Sequence, residues 1–231
     1  RQSLDATISE LQSLADDDSV TGIIIQKPSR RLWQKHSMVQ GEPKQVRQAF
    51  RAWWHAQTQH IALEKDVDGL HPETLHAIED GEWEERGLVL PATVKASLIA
   101  LEASKADLTD PELPVAVLGR SDILGLPLFW ELQQRGCHAV NYGSKDMQHL
   151  METGRKLHGF DVVVTATGRA GLITGDMIDD DVILIDVGEP RPDVDRESVG
   201  EKPSFLTPVP GGIGPLTVVS LLENAAQLAN S

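Results

Sequence analysis

Two carboxylates sit two residues apart in Lys65-Asp66-Val67-Asp68-Gly69-Leu70-His71-Pro72, beside a glycine turn. A carboxylate there can accept hydrogen bonds from a donor-rich or cationic heterocycle, or bind a divalent cation. A cation loop needs more oxygen ligands at regular spacing than this segment offers. An Asx-type turn accounts for Asp66 and leaves Asp68 as the candidate for chemistry. The eight histidines are scattered. His55 and His60, like His71 and His76, are five residues apart and off any common helical face, so no metal site is expected.

A second chemical segment is Leu118-Gly119-Arg120-Ser121-Asp122-Ile123-Leu124-Gly125-Leu126-Pro127, between a strand and a helix. Gly119 permits a sharp turn, and Gly125 removes a side chain where a ligand or the sheet must come close. Pro127 suits a first helical turn. Free N–H groups at such a helix start bind phosphate. The spacing is not GxGxxG, so the dinucleotide signal is weaker than the standard fingerprint. The next strand ends in Asn141-Tyr142-Gly143-Ser144-Lys145, with no acid before Asp146. An acid there usually meets a free ribose 2′-OH. Arg120, Ser144 and Lys145 could instead cradle a 2′-phosphate, which favours NADP over NAD.

A third segment, Thr207-Pro208-Val209-Pro210-Gly211-Gly212-Ile213-Gly214-Pro215-Leu216-Thr217, packs glycines and prolines at the start of the last helix. It is stiff at its prolines and exposes backbone at its glycines, which suits a ligand wall.

The elements that must hold these segments follow from periodicity. Residues 2–14 predict an amphipathic helix, and 22–26 (GIIIQ) a buried parallel strand stopped by Pro28. Residues 43–60 predict a helix burying Val46, Ala49, Phe50, Trp53 and Trp54. Residues 64–92 read as irregular, and 93–105 as a helix. Thr109 to Pro114 reads as a junction. Beyond it, strands at 115–119, 138–142, 161–166, 182–187 and 204–208 alternate with helices at 127–134 and near 146–157, and the chain ends in a helix at 214–229. This rhythm predicts a Rossmann-like, doubly wound parallel α/β sheet. The expected division is 1–108 and 109–213, with helix 214–231 packing back on the first part.

Composition narrows the partners. The 231 residues carry 21 Lys+Arg and 35 Asp+Glu, a net charge of −14. That argues against nucleic acid and anionic membranes. No apolar run is long enough to span a bilayer. The single Cys137 excludes a disulfide framework and fits a reducing, cytoplasmic setting. Between the acidic stretches 61–90 and 171–201, residues 119–170 carry five acids and six bases, which is where an anion is expected.

Seven segments in order resemble the methylenetetrahydrofolate dehydrogenase/methenyltetrahydrofolate cyclohydrolase family. GIIIQKP resembles its Gln-containing VQLP strand, KDVDGLHP its KDVDG, GRSDILGLP its GRSxxVGxP, and GSK its HSK. TATGRAGLITGDMI is similar to AxGxPxxIxGDMI, IDVGEPRPDVD to IDVGINR…GDVD, and TPVPGGIGPLTVVSLLENA to TPVPGGVGPMTVAMLLENT. The resemblance implies a Rossmann-like cofactor domain and a smaller α/β folate domain. It implies oxidation of 5,10-methylenetetrahydrofolate with NADP and hydrolysis of the methenyl product to 10-formyltetrahydrofolate, commonly by a homodimer joined through the cofactor domain. Gly119, Arg120, Ser121, Gly125, Ser144, Thr167, Gly168, Gly188, Glu189 and Thr217 would bind the cofactor. Asp68 would hold the pterin. Ile25, Gln26, Lys27, Pro210, Gly211, Gly212, Ile213 and Gly214 would line the folate pocket.

Departures from the family are specific. Its catalytic lysine lies in a Tyr-x-x-x-Lys motif upstream of the Gln strand, and no Tyr precedes Gln26 here. The chain is therefore expected to be N-terminally incomplete, or Lys27 to take over that lysine's role with Gln26 beside it. PCTP is Pro91-Ala92-Thr93-Val94, GINR is Gly188-Glu189-Pro190-Arg191, and the stretch from Gln26 to Lys65 is longer than usual. The alternative reading is a folate- or dinucleotide-binding relative without catalysis.

Overall fold

The computed structural model describes residues 4–154 and 156–230. Gln2 and Ser3 of the first predicted helix, Arg155 of the helix predicted near 146–157, and Ser231 of the terminal segment lie outside the described residues.

The part before β1 is helical. Helix α1 is Leu4–Ala15, α2 Arg30–Ser37, α3 Pro43–Thr58, α4 Pro72–Asp80 and α5 Ala92–Ala103. The remainder alternates: β1 Pro114–Leu118, α6 Gly125–Arg135, β2 His138–Tyr142, α7 Ser144–Thr153, β3 Val162–Thr165, β4 Ile183–Asp186, α8 Arg196–Val199, β5 Phe205–Leu206 and α9 Ile213–Leu228. The five strands form one parallel sheet in the order β2-β1-β3-β4-β5.

Alternation along each strand fills both faces of this sheet. Val115, Val117, Val162, Val164 and Ile185 point to the side covered by α5 and α6, where Leu98, Leu101, Leu128 and Leu132 meet them. Ala116, Leu118, Val163 and Leu184 point to the other side, against Met147, Ile173 and Met177. Leu101, Leu128 and Leu132 are fully buried. Truncating any of them to Ala should cost about 2–5 kcal/mol. Helix α9 packs on α5. Asn224 of α9 donates to the carbonyls of Val67 (3.0 Å) and Leu90 (2.9 Å).

Two regions differ from the sequence expectation. The apolar run 22–26 is not a buried strand. Ile23 alone makes a parallel bridge, to Asp66, while Ile24 is 54% exposed and Gln26 is exposed. Among the described residues no strand pairs with its other side, so the run has only one neighbour to bury against. Residues 64–92 are not wholly irregular, because they contain α4. Its ends are marked by Pro72 in the first turn, the His71 ring accepting from Glu73 N–H, and Gly81 in a left-handed conformation. In the long stretch after Gln26, Ser29 caps α2 by accepting from Leu32 N–H. A small aromatic core of Trp33, Phe50, Trp53 and Trp54, with ring centroids 5.2–6.4 Å apart, joins α2 to α3. Within the face predicted for α3, Val46 and Trp54 are buried, whereas Ala49, Phe50 and Trp53 are half-buried.

Candidate active site

The two carboxylates of the 65–72 segment have separate tasks. Asp66 is buried and accepts from Leu70 N–H (3.1 Å), His71 N–H (2.7 Å) and the Thr74 hydroxyl (3.2 Å). It fixes the turn. Lys65, also buried, donates to the carbonyls of Leu14, Ala15 and Asp17 and so caps α1. Asp68 is half-buried, and the Ala92 N–H at the start of α5 is the described group that favours its charged form. Burial, reinforced by the nearby Asp66 charge, raises its pKa to about 6. Gly69 makes this approach possible. Its φ is +64°, and a Cβ would lie 2.7 Å from both Pro91 N and Val89 O.

At the β1–α6 turn, Gly119 has φ +126°, and a Cβ on Gly125 would lie 2.2 Å from Gly119 O. The close approach at Gly125 is therefore between two parts of the turn itself. The helix start is not the open set of donors expected from sequence. Leu124 and Gly125 N–H both donate to Ser121 Oγ at 3.2 Å, Leu126 N–H donates to Ser121 O, and Pro127 has no N–H. Asn141 Nδ2 ties the turn to β2 by donating to Gly119 O at 2.6 Å. Arg120 donates to Asn141 Oδ1 and O, each at 3.1 Å, and pairs with Asp146 Oδ2 at 3.0 Å. Asp146 thus occupies the guanidinium that the sequence assigns to a 2′-phosphate, beside exposed Ser144 and Lys145.

The main cleft, of about 810 Å³, opens beyond the C-terminal ends of β4 and β5. Its walls are Asp186 to Pro190, Pro208 to Pro215, Thr217 and Val218, with Thr93 from α5. It gathers Gly188, Glu189, Thr217 and the whole 210–214 segment. Thr93, next to the Ala92 N–H that holds Asp68, links the carboxylate to this cleft. Asp186 shapes the wall. It is buried and accepts from Gly188, Asp193 and Val194 N–H at 2.8–3.1 Å. Burial raises its pKa despite those bonds. Asp193, fully buried, accepts from the Thr165 hydroxyl and from Thr167 N–H and hydroxyl, fixing the turn after β3 that carries Gly168. No side chain caps α9. Thr217 donates its hydroxyl to Ile213 O, so that group is engaged inside the helix.

Lys27 does not stand free beside Gln26. Its ammonium is 2.6 Å from Asp122 Oδ1 and lies 4.9 Å from the Trp54 ring centroid. Desolvation lowers its pKa, and the Asp122 carboxylate opposes that shift. Asp122, Trp54, Asp186 and Thr93 are the functional candidates that sequence reasoning missed. Asp122 lay inside a recognised motif at a position read as variable. Among the described residues no cluster of His, Cys, Asp and Glu could hold a metal ion, and no helix is long and apolar enough to cross a membrane.

The strand order of this parallel sheet changes direction between β1 and β3, beside the β1–α6 turn, where ligands of doubly wound proteins bind. The fold defines the class: a Rossmann-like α/β protein. Residues 91–231 match the family described as tetrahydrofolate dehydrogenase/cyclohydrolase, NAD(P)-binding domain. The bifunctional protein FolD of Lactobacillus acidophilus is 32% identical over 224 residues, covering 94% of this chain and 69% of that protein. FolD of Staphylococcus aureus is 32% identical over 226 residues, covering 94% and 68%. The FolD structure from Campylobacter jejuni superposes with a TM-score of 0.78 at 28% identity, over 100% of this chain and 74% of that one. The FolD structure from Trypanosoma brucei, complexed with NADP and an inhibitor, gives 0.77 at 27%, over 100% and 73%. The chain belongs to the tetrahydrofolate dehydrogenase/cyclohydrolase family.

Proposed function

We propose that the chain oxidises 5,10-methylenetetrahydrofolate to 5,10-methenyltetrahydrofolate with NADP and hydrolyses that product to 10-formyltetrahydrofolate. The observation that carries this reading is Asp68, a half-buried carboxylate beside the α5 corner that leads into the cleft. A carboxylate so placed accepts two N–H bonds from the amino-pyrimidine edge of a pterin.

On this reading the cleft takes a planar ligand pair. A Cβ on Gly214 would meet nothing nearer than Glu189 Oε1 at 4.0 Å, so the glycine keeps the floor bare. Gly119, Arg120, Ser121, Gly125, Ser144, Thr167 and Gly168 would hold the dinucleotide's phosphates and riboses. Gly188, Glu189 and Thr217 would flank its nicotinamide. Bound there, the cofactor supplies the hydride acceptor. The protein's part is to hold two rings in contact and exclude water, which is catalysis by proximity. Ile25, Gln26 and Pro210 to Gly214 would line the folate. Hydrolysis needs a group that moves a proton to and from water. Lys27 is the proposed group, with its pKa lowered by desolvation and Asp122 holding its ammonium.

On this reading residues 1–108 with the terminal helix form the folate part and 109–213 the cofactor part. The Asn224 bonds to Val67 and Leu90 support that division. A cytoplasmic homodimer joined through the cofactor part completes the proposal. The test is direct: mix the protein with methylenetetrahydrofolate and NADP, follow NADPH absorbance, and separate the formyl product by chromatography. Reduction with formyl product is expected. Binding of both ligands without turnover would overturn the reading.

A further inference from the structure

The ionisable walls of the main cleft are all of one sign. Among the described residues that line it there is no Lys, Arg or His, and its ionisable side chains are Asp186 and Glu189. Asp186 is committed to the wall itself. It is 1% exposed, and its two oxygens accept the Gly188, Asp193 and Val194 amides. Glu189 is exposed, and among the described residues no cation pairs with it. The family motif GINR reads Gly188-Glu189-Pro190-Arg191 here, so a carboxylate stands where that motif has an apolar side chain.

The carboxylate has a definite place in the cleft. Its Oε1 lies 4.0 Å from where a Cβ on Gly214 would stand. Gly214 is in the first turn of α9, whose start has no side-chain cap, and an uncapped helix start attracts a nearby anion. Glu189 is proposed to flank the nicotinamide and Gly214 to line the folate. The carboxylate therefore stands where the two rings would meet.

The proposed oxidation moves a positive charge across that junction. One C–H bond of the methylene bridge breaks, and its hydrogen passes with both electrons to the cofactor ring, where a new C–H bond forms. The bridge is oxidised, the ring is reduced, and no free proton is produced. Before the transfer the pyridinium ring is a cation and the bridge is neutral. Afterwards the ring is neutral, and the methenyl bridge is a cation shared with its two flanking nitrogens. A carboxylate beside both rings attracts that charge at every stage.

We propose that Glu189 is the counter-charge of this moving cation, so that the cleft selects the oxidised cofactor over the reduced one. The proposal rests on the folate and NADP reading above. The attraction is the same before, during and after the transfer. Glu189 therefore contributes to binding and not to the chemical step.

The experiment is calorimetric titration of NADP and of NADPH into the full chain and into its Glu189→Gln and Glu189→Lys variants. The two nucleotides carry the same phosphates and riboses, so the ratio of their dissociation constants isolates the charge on the ring. Glu189→Gln should shift that ratio against NADP by about tenfold, equivalent to about 1.4 kcal/mol, with NADPH affinity unchanged. Glu189→Lys should shift it further in the same direction. Added salt should narrow the difference between wild type and variants. In steady-state kinetics with methylenetetrahydrofolate, Glu189→Gln should raise KM for NADP about tenfold and leave kcat nearly unchanged. Circular dichroism checks that both variants fold. An unchanged ratio in both variants, or a fall in kcat at an unchanged ratio, would overturn the role of Glu189 and leave the functional reading standing. If the wild type binds neither nucleotide, the functional reading falls and the role of Glu189 with it.

Discussion

The Lys27 ammonium lies 2.6 Å from the Asp122 carboxylate, joining the segment proposed to line the folate to the turn proposed to hold the cofactor. The partners are 95 residues apart, and their side chains are only 16% and 20% exposed. Removing one partner strands a desolvated charge. Lys27→Met and Asp122→Asn should each lower stability by about 1–3 kcal/mol. The double variant should lose less than the sum, because each single change leaves the other charge unpaired. Urea unfolding of the four proteins checks this. Additive losses would mean that the pair carries no coupling, and that Lys27 is held by Trp54 and Phe50 alone.

Asp68 makes a prediction in pH. A pterin edge is bound by the carboxylate and not by the acid, and the pKa of this group is raised to about 6. Substrate KM should therefore be flat above about pH 7 and rise roughly tenfold per pH unit below about pH 5.5. Stability should run the other way. A raised pKa means that the folded state binds the proton more tightly than the unfolded chain. This stabilisation is complete below the ordinary carboxylate range and lost as pH rises through about 6. Asp68→Asn should therefore raise Tm at pH 7, leave it unchanged near pH 4, and abolish folate binding. A Tm at pH 7 below that of the wild type would show that the carboxylate is structural, as Asp66 is.

Much of the second half was legible in the sequence because its signals are local. Apolar runs such as Val162 to Thr165, punctuated by Gly119, Gly136 and Gly143, announce parallel strands and their turns. The run at 22–26 has the same composition but only one neighbour, so composition could not tell that Ile24 would face solvent. Helix α4 was missed because its acids dilute the apolar period, although Pro72 and Gly81 mark both of its ends. Asp68 was visible as a carboxylate in a useful place. The burial that raises its pKa depends on Pro91 and Ala92 folding back against Gly69, which spacing does not encode. Ser121 taking up the α6 amides, and Lys27 reaching Asp122, are likewise products of tertiary approach.

Asp146 competes for the guanidinium that a 2′-phosphate would use. Its Oδ2 is 3.0 Å from Arg120 Nη2 and also accepts from Gly143 N–H at 2.8 Å. Both side chains of the ion pair are more than one-third exposed, so the bond itself contributes little to stability. Its effect should be on cofactor choice. Asp146→Asn frees Arg120 and removes a like charge from the phosphate's path. KM for NADP should fall about three- to tenfold with KM for NAD unchanged, a difference of up to about 1.4 kcal/mol. Steady-state kinetics with both cofactors measures it. A fall in KM for NAD instead would place the ribose hydroxyls, and not a phosphate, against Arg120.

Gly214 separates binding from folding. It lies in the first turn of α9, lines the main cleft, and has open space where a Cβ would stand. Gly214→Ala removes backbone freedom from the unfolded chain at a helical position with no strain to pay against, a gain of about 0.4–1 kcal/mol. For a chain of this size that raises Tm by about 1–4 °C. The same methyl group enters the floor on which folate and nicotinamide are proposed to stack. It should push the two rings apart and cost at least about tenfold in kcat/KM, with loss in kcat because ring contact is made most fully in the transition state. Thermal unfolding and steady-state kinetics on one preparation give both readings. A variant that is more stable and fully active would show that the reacting rings lie elsewhere in the cleft, away from the 210–214 segment.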